Sequence, residues 1–108
     1  MDILGYDTDG ITQKSLEALE MYVNHPLEKV LIDLSSGQCL VYFVFHGDGA
    51  YKASGFSIGY GGEGPNGLHK AIRMFYPDKL NPDFWKTPIA SLHGKKYEWT
   101  PENSFQAI

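Results

Sequence analysis

Lys29–His46 reads KVLIDLSSGQCLVYFVFH. Two runs rich in β-branched and aromatic residues, VLIDL and CLVYFVF, flank Ser35-Ser36-Gly37, a tripeptide with turn chemistry. The pattern predicts a hairpin with strands over Lys29–Leu34 and Gln38–His46. Both runs are nearly continuously apolar rather than alternating, which places both strands in the middle of a sheet. Gly47-Asp48-Gly49 marks the turn that follows.

On the N-terminal side, Thr12–Asn24 carries Leu16, Leu19 and Val23 at helical spacing. Lys14, Glu17 and Glu20 occupy other faces, and Pro26 limits continuation. On the C-terminal side, Phe56, Ile58 and Tyr60 alternate, so a third strand is expected between about Tyr51 and Tyr60. A helix is expected from Pro65, a residue suited to the first helical position, to about Tyr76, where Pro77 stops it. Asp78–Lys86, with Pro82 and two aromatics, reads as a loop with a short helical turn. Ile89–Leu92 and Lys95–Trp99 suggest a further hairpin around His93-Gly94. Thr100-Pro101-Glu102 opens like a short C-terminal helix. The fold class is therefore α+β: one small domain over residues 1–108, built on a mainly antiparallel sheet. Its helices are one near the N-terminus, a central one after a glycine-rich loop, and a short one at the end.

The chain has 108 residues, of which 43% are hydrophobic, enough for one core and too few for two. The apolar runs are too short to span a membrane. The start, MDILGYDTDG, lacks the basic and apolar regions of a signal peptide, and the lone Cys39 has no internal partner. Together these imply a cytoplasmic setting. Residues 1–50 hold eight acids and two lysines, a charge of −6. Residues 51–108 hold seven basic groups and five acids, a charge of +2. That basic excess is slight for a nucleic-acid binder. The acidic half either opposes a basic partner or is simply solvated.

The distinctive stretch is Gly59-Tyr60-Gly61-Gly62-Glu63-Gly64-Pro65-Asn66-Gly67. Five glycines in nine positions allow positive φ and close approach of a ligand or another chain to the backbone. The helix after it aims unpaired N–H groups and a positive dipole end at the loop, an arrangement suited to an anion. Gly59, Gly61 and Gly64 also satisfy G-x-G-x-x-G. However, that fingerprint needs a parallel βαβ unit, and here the helix runs into Pro77 and a proline-containing loop. Asp83 lies at a tempting distance in the wrong context. On the helix, Leu68, Ala71, Ile72 and Phe75 share one face, and Asn66, His69, Lys70 and Arg73 the other. Asn66 and Lys70 are within reach of an anion at the helix start, whereas Arg73 is two turns away. Glu63 is able to cap the helix, repel a phosphate, or bond a ribose hydroxyl or amine. The alternative is a strand-to-helix corner whose glycines serve packing alone.

The segment Gly59–Pro65, GYGGEGP, resembles a GYGG-S/T-GP motif found in a family of small bacterial and phage proteins, a domain of unknown function. Leu68, Ala71 and Ile72 fall where that family's apolar helix positions lie. The stretch FWKTPIASLHGKKYEWTPENSFQAI is similar to its C-terminal outline. The resemblance spans roughly residues 54–108 and departs at Glu63, where the motif has Ser or Thr. It implies a bacterial or phage source and, in the phage case, a place in the host cytoplasm. It carries no activity or catalytic residue with it.

His25, His46, His69 and His93 are more than twenty residues apart and have no nearby Cys partner, so no zinc site is expected. Cys39, inside QCLVYFVF, reads as a core thiol rather than a nucleophile. No catalytic residue and no cofactor is assigned. Among the aromatics, Tyr60 and Trp85 are the two singled out to stack on a flat ligand.

Three function classes follow. The first is a non-enzymatic binding protein that holds a small anionic, nucleotide-like ligand through Gly59–Gly67, Asn66, Lys70 and Arg73, covered by Tyr60 or Trp85. In a phage, sequestering a host signalling nucleotide would be its purpose. The second is a protein-interaction module, of inhibitor or immunity type, that works through its acidic N-terminal half. The third, a small enzyme, lacks an identifiable nucleophile, base or metal set. The apolar central strands also leave room for a homo-oligomer that completes such a pocket.

Overall fold

A computed structural model describes residues 2–47, 49–58, 62–78 and 95–108. Within them the chain runs β1 (Ile3–Tyr6), α1 (Thr12–Glu20), β2 (Leu27–Asp33), β3 (Leu40–Phe45), β4 (Gly49–Ala53), α2 (Glu63–Phe75), β5 (Lys96–Thr100) and β6 (Ser104–Ala107). The strands form one six-stranded sheet in the order β1-β4-β3-β2-β5-β6. All neighbours are antiparallel except β1 and β4. The α+β class and the mainly antiparallel sheet thus stand. No helix among the described residues is long and apolar enough to cross a membrane.

The β2–β3 hairpin is central, as its apolar runs require. The Asp33 carboxylate accepts from the Ser35 N–H at 2.8 Å, and the Gly37 N–H donates to Leu34 C=O at 3.2 Å. Gly37 takes φ 86°, so the turn uses both the local Asp bond and the glycine. Val30 lies opposite Phe43 on one side and Trp99 on the other, with Ile32 likewise between Val41 and Tyr97. These residues are all buried and define one face of the sheet. Both helices cover that face: Tyr22, just after α1, stacks on Phe45, and Phe75 of α2 meets Phe43 and Phe45.

Helix α2 starts two residues before Pro65 and ends just before Tyr76 and Pro77. Leu68, Ala71 and Ile72 are fully buried, as their spacing predicts. Helix α1 is shorter than Thr12–Asn24, because residues 21–25 form turns in which the Tyr22 and His25 N–H groups reach Leu19 and Tyr22 carbonyls. Leu19 is buried, whereas Val23 is exposed beyond the helix end.

Three elements differ from expectation. Strand β1 has only four residues interrupted by Gly5, too short for a periodicity signal; it is made by pairing with β4, flanked by the bonds Ala50 N–H to Asp2 C=O and Asp7 N–H to Lys52 C=O. The third expected strand ends at Ala53. Its Phe56 and Ile58 are buried outside the sheet, so their alternation reflects burial and not a ladder. The C-terminal helix is a correction: residues after Thr100 turn and return as β6, pairing Trp99 with Phe105 and Tyr97 with Ala107. The Asn103 N–H does donate to Thr100 Oγ1 at 3.0 Å, as at a helix start. Ser104 then takes φ 58°, which ends any helical course. So few residues form no stable helix, whereas a strand satisfies their backbone against β5. The loop over Asp78–Lys86, beyond its first residue, and the strand over Ile89–Leu92 lie outside the described residues.

Gly67 lets α1 and α2 meet. A Cβ there would overlap the Thr12 Cγ2 methyl and lie 3.2 Å from the Phe56 ring. Gly67→Ala is therefore expected to destabilise by about 1 kcal/mol, the overlap exceeding the alanine's helix-propensity gain of similar size. Thr12→Ser removes the offending methyl and keeps the hydroxyl. In a double-mutant cycle by urea unfolding, the two changes should couple favourably. Additive losses would show that the overlap is not the cause.

Candidate ligand clefts at the start of the second helix

The sequence-named residues divide in the structure. Gly59, Tyr60, Gly61 and Trp85 lie outside the described residues. Gly62, Glu63, Gly64, Asn66 and Gly67 come together at the first turn of α2, Lys70 lies one turn on, and Arg73 is exposed farther along.

Gly62 is the N-cap and supplies no side-chain cap of its own to this helix end. Its φ of −159° and ψ of −165° are extended backbone open to any residue. The Asn66 N–H closes the first turn on Gly62 C=O at 3.1 Å, and Pro65 has no N–H to offer. The first-turn donors without an intrahelical acceptor are thus those of Glu63 and Gly64. Glu63 is the one acid in this turn and is exposed.

Two clefts flank that turn. One, of about 260 Å³, is lined by Thr12, Gln13, Leu16, Glu63, Asn66, Gly67 and Lys70. The other, of about 400 Å³, is lined by Gly10, Thr12, Ser54, Gly55, Phe56, Ser57, Glu63 and Gly64. They share Thr12 and Glu63. Asn66 and Lys70 stand on the first cleft; Arg73 lines neither.

The floor beneath is fixed by hydrogen bonds. The Thr12 hydroxyl donates to Gly55 C=O at 2.7 Å, and the Gly55 N–H donates to Ser15 Oγ at 2.9 Å. Asp7 gathers the rest. Its carboxylate accepts from the Ser15 hydroxyl at 3.0 Å, the Tyr51 hydroxyl at 2.7 Å, the Ser54 N–H at 3.0 Å and the Ser54 hydroxyl. The Gly10 N–H adds a bond to Ser54 Oγ at 2.9 Å. This network ties the β1–α1 loop to the end of β4. Partial burial opposes the Asp7 charge, but bonds from Ser54, Tyr51 and Ser15 outweigh it and hold the carboxyl below its usual range. Tyr51 is pushed above the ordinary phenol range by burial and by its bond to Asp7.

A lowered folded-state value means that Asp7 stabilises the fold above the ordinary carboxyl value of 3.8. That contribution fades as pH falls through the still lower folded-state value. Asp7→Asn should therefore cost about 1–2 kcal/mol at neutral pH, since the amide offers donors where hydroxyls already donate. The difference from the parent protein should shrink in strong acid. Chemical denaturation across the acid range checks this, and a pH-independent difference would contradict it.

Sequence reasoning missed Asp7, Gly10, Thr12, Ser15 and Ser54 as builders of this region. Asp7 and Ser54 are 47 positions apart, and no local pattern joins them. Elsewhere, burial pushes the Cys39 thiol up to about 11, so it stays protonated at neutral pH. Among the described residues, no group of three or more His, Cys, Asp or Glu side chains could hold a metal ion. No family model, curated protein or solved structure matches the chain.

Proposed function

We propose that the protein is a non-enzymatic binding protein that holds a small anionic, nucleotide-like ligand at the first turn of α2. The observation that carries this reading is the pair of clefts meeting at that turn. Together they suit a ligand with two parts. An anionic group would take the Glu63 and Gly64 N–H groups and the helix dipole, with Lys70 and Asn66 on the first cleft. A hydroxyl-bearing or aromatic part would extend into the second cleft, where Ser54, Ser57 and Phe56 line the wall. Glu63, common to both, accepts hydrogen bonds and favours a ligand that carries hydroxyl or amine donors beside its anion. The Thr12 and Ser54 hydroxyls are already engaged with Gly55 and Asp7. They shape the clefts and do not act as nucleophiles. In a phage setting, capture of a signalling nucleotide would use these same contacts.

Gly62→Asp separates this reading from a purely structural corner. An aspartate at the N-cap is favoured by the helix and by the extended backbone at Gly62, so the thermal midpoint should hold or rise. The same carboxylate would occupy the anion position and repel a phosphate. A thermal-shift screen of nucleotides and inorganic phosphate should find stabilising compounds for the parent protein and none for the variant. No shift with any compound on the parent protein would reject the proposal.

A further inference from the structure

Among the described residues, both helices pack on the sheet face that carries Val30, Phe43 and Trp99. Side chains alternate along each strand, so Leu31, Tyr42, Lys52 and Glu98 point to the other face. They are half-buried there, whereas their neighbours on the helix side are enclosed. A cleft of about 330 Å³ opens beside Leu31, Tyr42 and Ile108, together with Asp33 and Lys96. Ile108 is 63% exposed.

One cross-strand row on this face runs through the whole sheet. It consists of Tyr6 of β1, Lys52 of β4, Tyr42 of β3, Leu31 of β2, Glu98 of β5 and Gln106 of β6. The row is self-complementary about its midpoint, between β3 and β2. Outward from there, an aromatic ring matches an aliphatic side chain, a cation matches an anion, and a phenol matches an amide. At a strand spacing of about 4.8 Å, Lys52 and Glu98 each stand about 7 Å from the midpoint.

Two copies stacked face to face as a closed pair need a two-fold axis in the plane between them. An axis along the strands, between β3 and β2, sets Lys52 over Glu98 of the second copy and Tyr42 over its Leu31. Tyr6 then meets its Gln106. An axis across the strands would set Lys52 over Lys52 and Glu98 over Glu98, which like charges oppose. Within its own chain Glu98 has Lys29 at 4.0 Å, a loose pair that leaves the carboxylate able to accept a second cation.

We infer that this sheet face is the interface of a symmetric homodimer, with its two-fold axis along the strands between β2 and β3. Tyr42 of each copy packs over the cleft beside Leu31 of the other. Two Lys52–Glu98 pairs fix the register at the flanks. The clefts at α2 lie on the helix side of the sheet, so this inference does not depend on a ligand there.

Sedimentation of the full chain between about 1 μM and 1 mM tests this. The expected result is a monomer–dimer equilibrium that weakens as salt rises. Lys52→Glu and Glu98→Lys should each weaken dimerisation by on the order of tenfold or more, because symmetry turns each change into two like-charge contacts. Mixing the two variants should restore a dimer of near-parental strength, since each supplies the charge that the other lacks. That rescue also guards against a folding artefact, because two unfolded variants would not restore each other. Three outcomes overturn the inference. One is a monomer throughout the range, which would leave the face to a different protein. Another is a dimer indifferent to both substitutions, which would place the contact elsewhere. The third is a loss in both single variants that mixing does not restore.

Discussion

Trp99→Ala is expected to lower stability by about 3–5 kcal/mol, a large part of what a domain of this size possesses. Trp99 is 1% exposed, lies on β5 opposite Val30 of β2 and Phe105 of β6, and meets the Tyr76 ring at 5.5 Å. It therefore joins three strands to the residue that ends α2. The Tyr76 hydroxyl in turn donates to Leu27 C=O at 2.7 Å, so the cavity would also loosen the join between helix end and β2. Equilibrium denaturation should show the loss directly. Trp99→Phe, which retains most of the ring volume, should recover more than half of it. A loss below about 1 kcal/mol would mean that the site collapses around the smaller side chain.

Gly55→Ala is expected to cost about 3 kcal/mol, although it adds one methyl group. The new Cβ would lie 2.5 Å from Ile11 O, 2.6 Å from Ile11 C and 2.7 Å from Thr12 Cα. These are backbone atoms at the start of α1, and no side-chain rotation relieves the contact. Gly55 also receives the Thr12 hydroxyl and donates to Ser15, so moving it strains both bonds. Gly37→Ala is a useful contrast, because a Cβ there meets nothing within 4 Å and the cost is that of positive φ alone. Denaturation of both variants separates the two causes. Equal losses would indicate that conformational strain, not the close approach, sets the requirement for glycine at Gly55.

Legibility in the sequence followed the range of the interaction. The central hairpin was readable because its apolar runs and its turn residues are local, and α2 because Leu68, Ala71 and Ile72 repeat at helical spacing. Strand β1 was hidden because four residues do not make a pattern; β4, more than forty residues later, makes it a strand. The C-terminal segment misled for a related reason. Thr100-Pro101-Glu102 has the local chemistry of a helix opening, and Thr100 Oγ1 does accept the bond from Asn103, yet pairing with β5 decides the outcome. At the clefts, Asn66 and Lys70 were legible as one face of a helix, and Glu63 as part of the loop before it. Thr12, Ser54 and Gly10 arrive from distant segments through the bonds of Asp7 and Gly55, and nothing local announces them.

The parallel pairing of β1 with β4 also sets an order of events in time. Residues 3–6 leave the ribosome before all the other strands, yet the partner they need is made more than forty residues later. Closing that loop costs entropy which only an existing β3–β4 edge can offset. The first strand to be synthesised is thus among the last able to settle. Until it does, Ile3, Leu4 and Tyr6 remain free for whatever else in the cell has an open strand or an apolar groove.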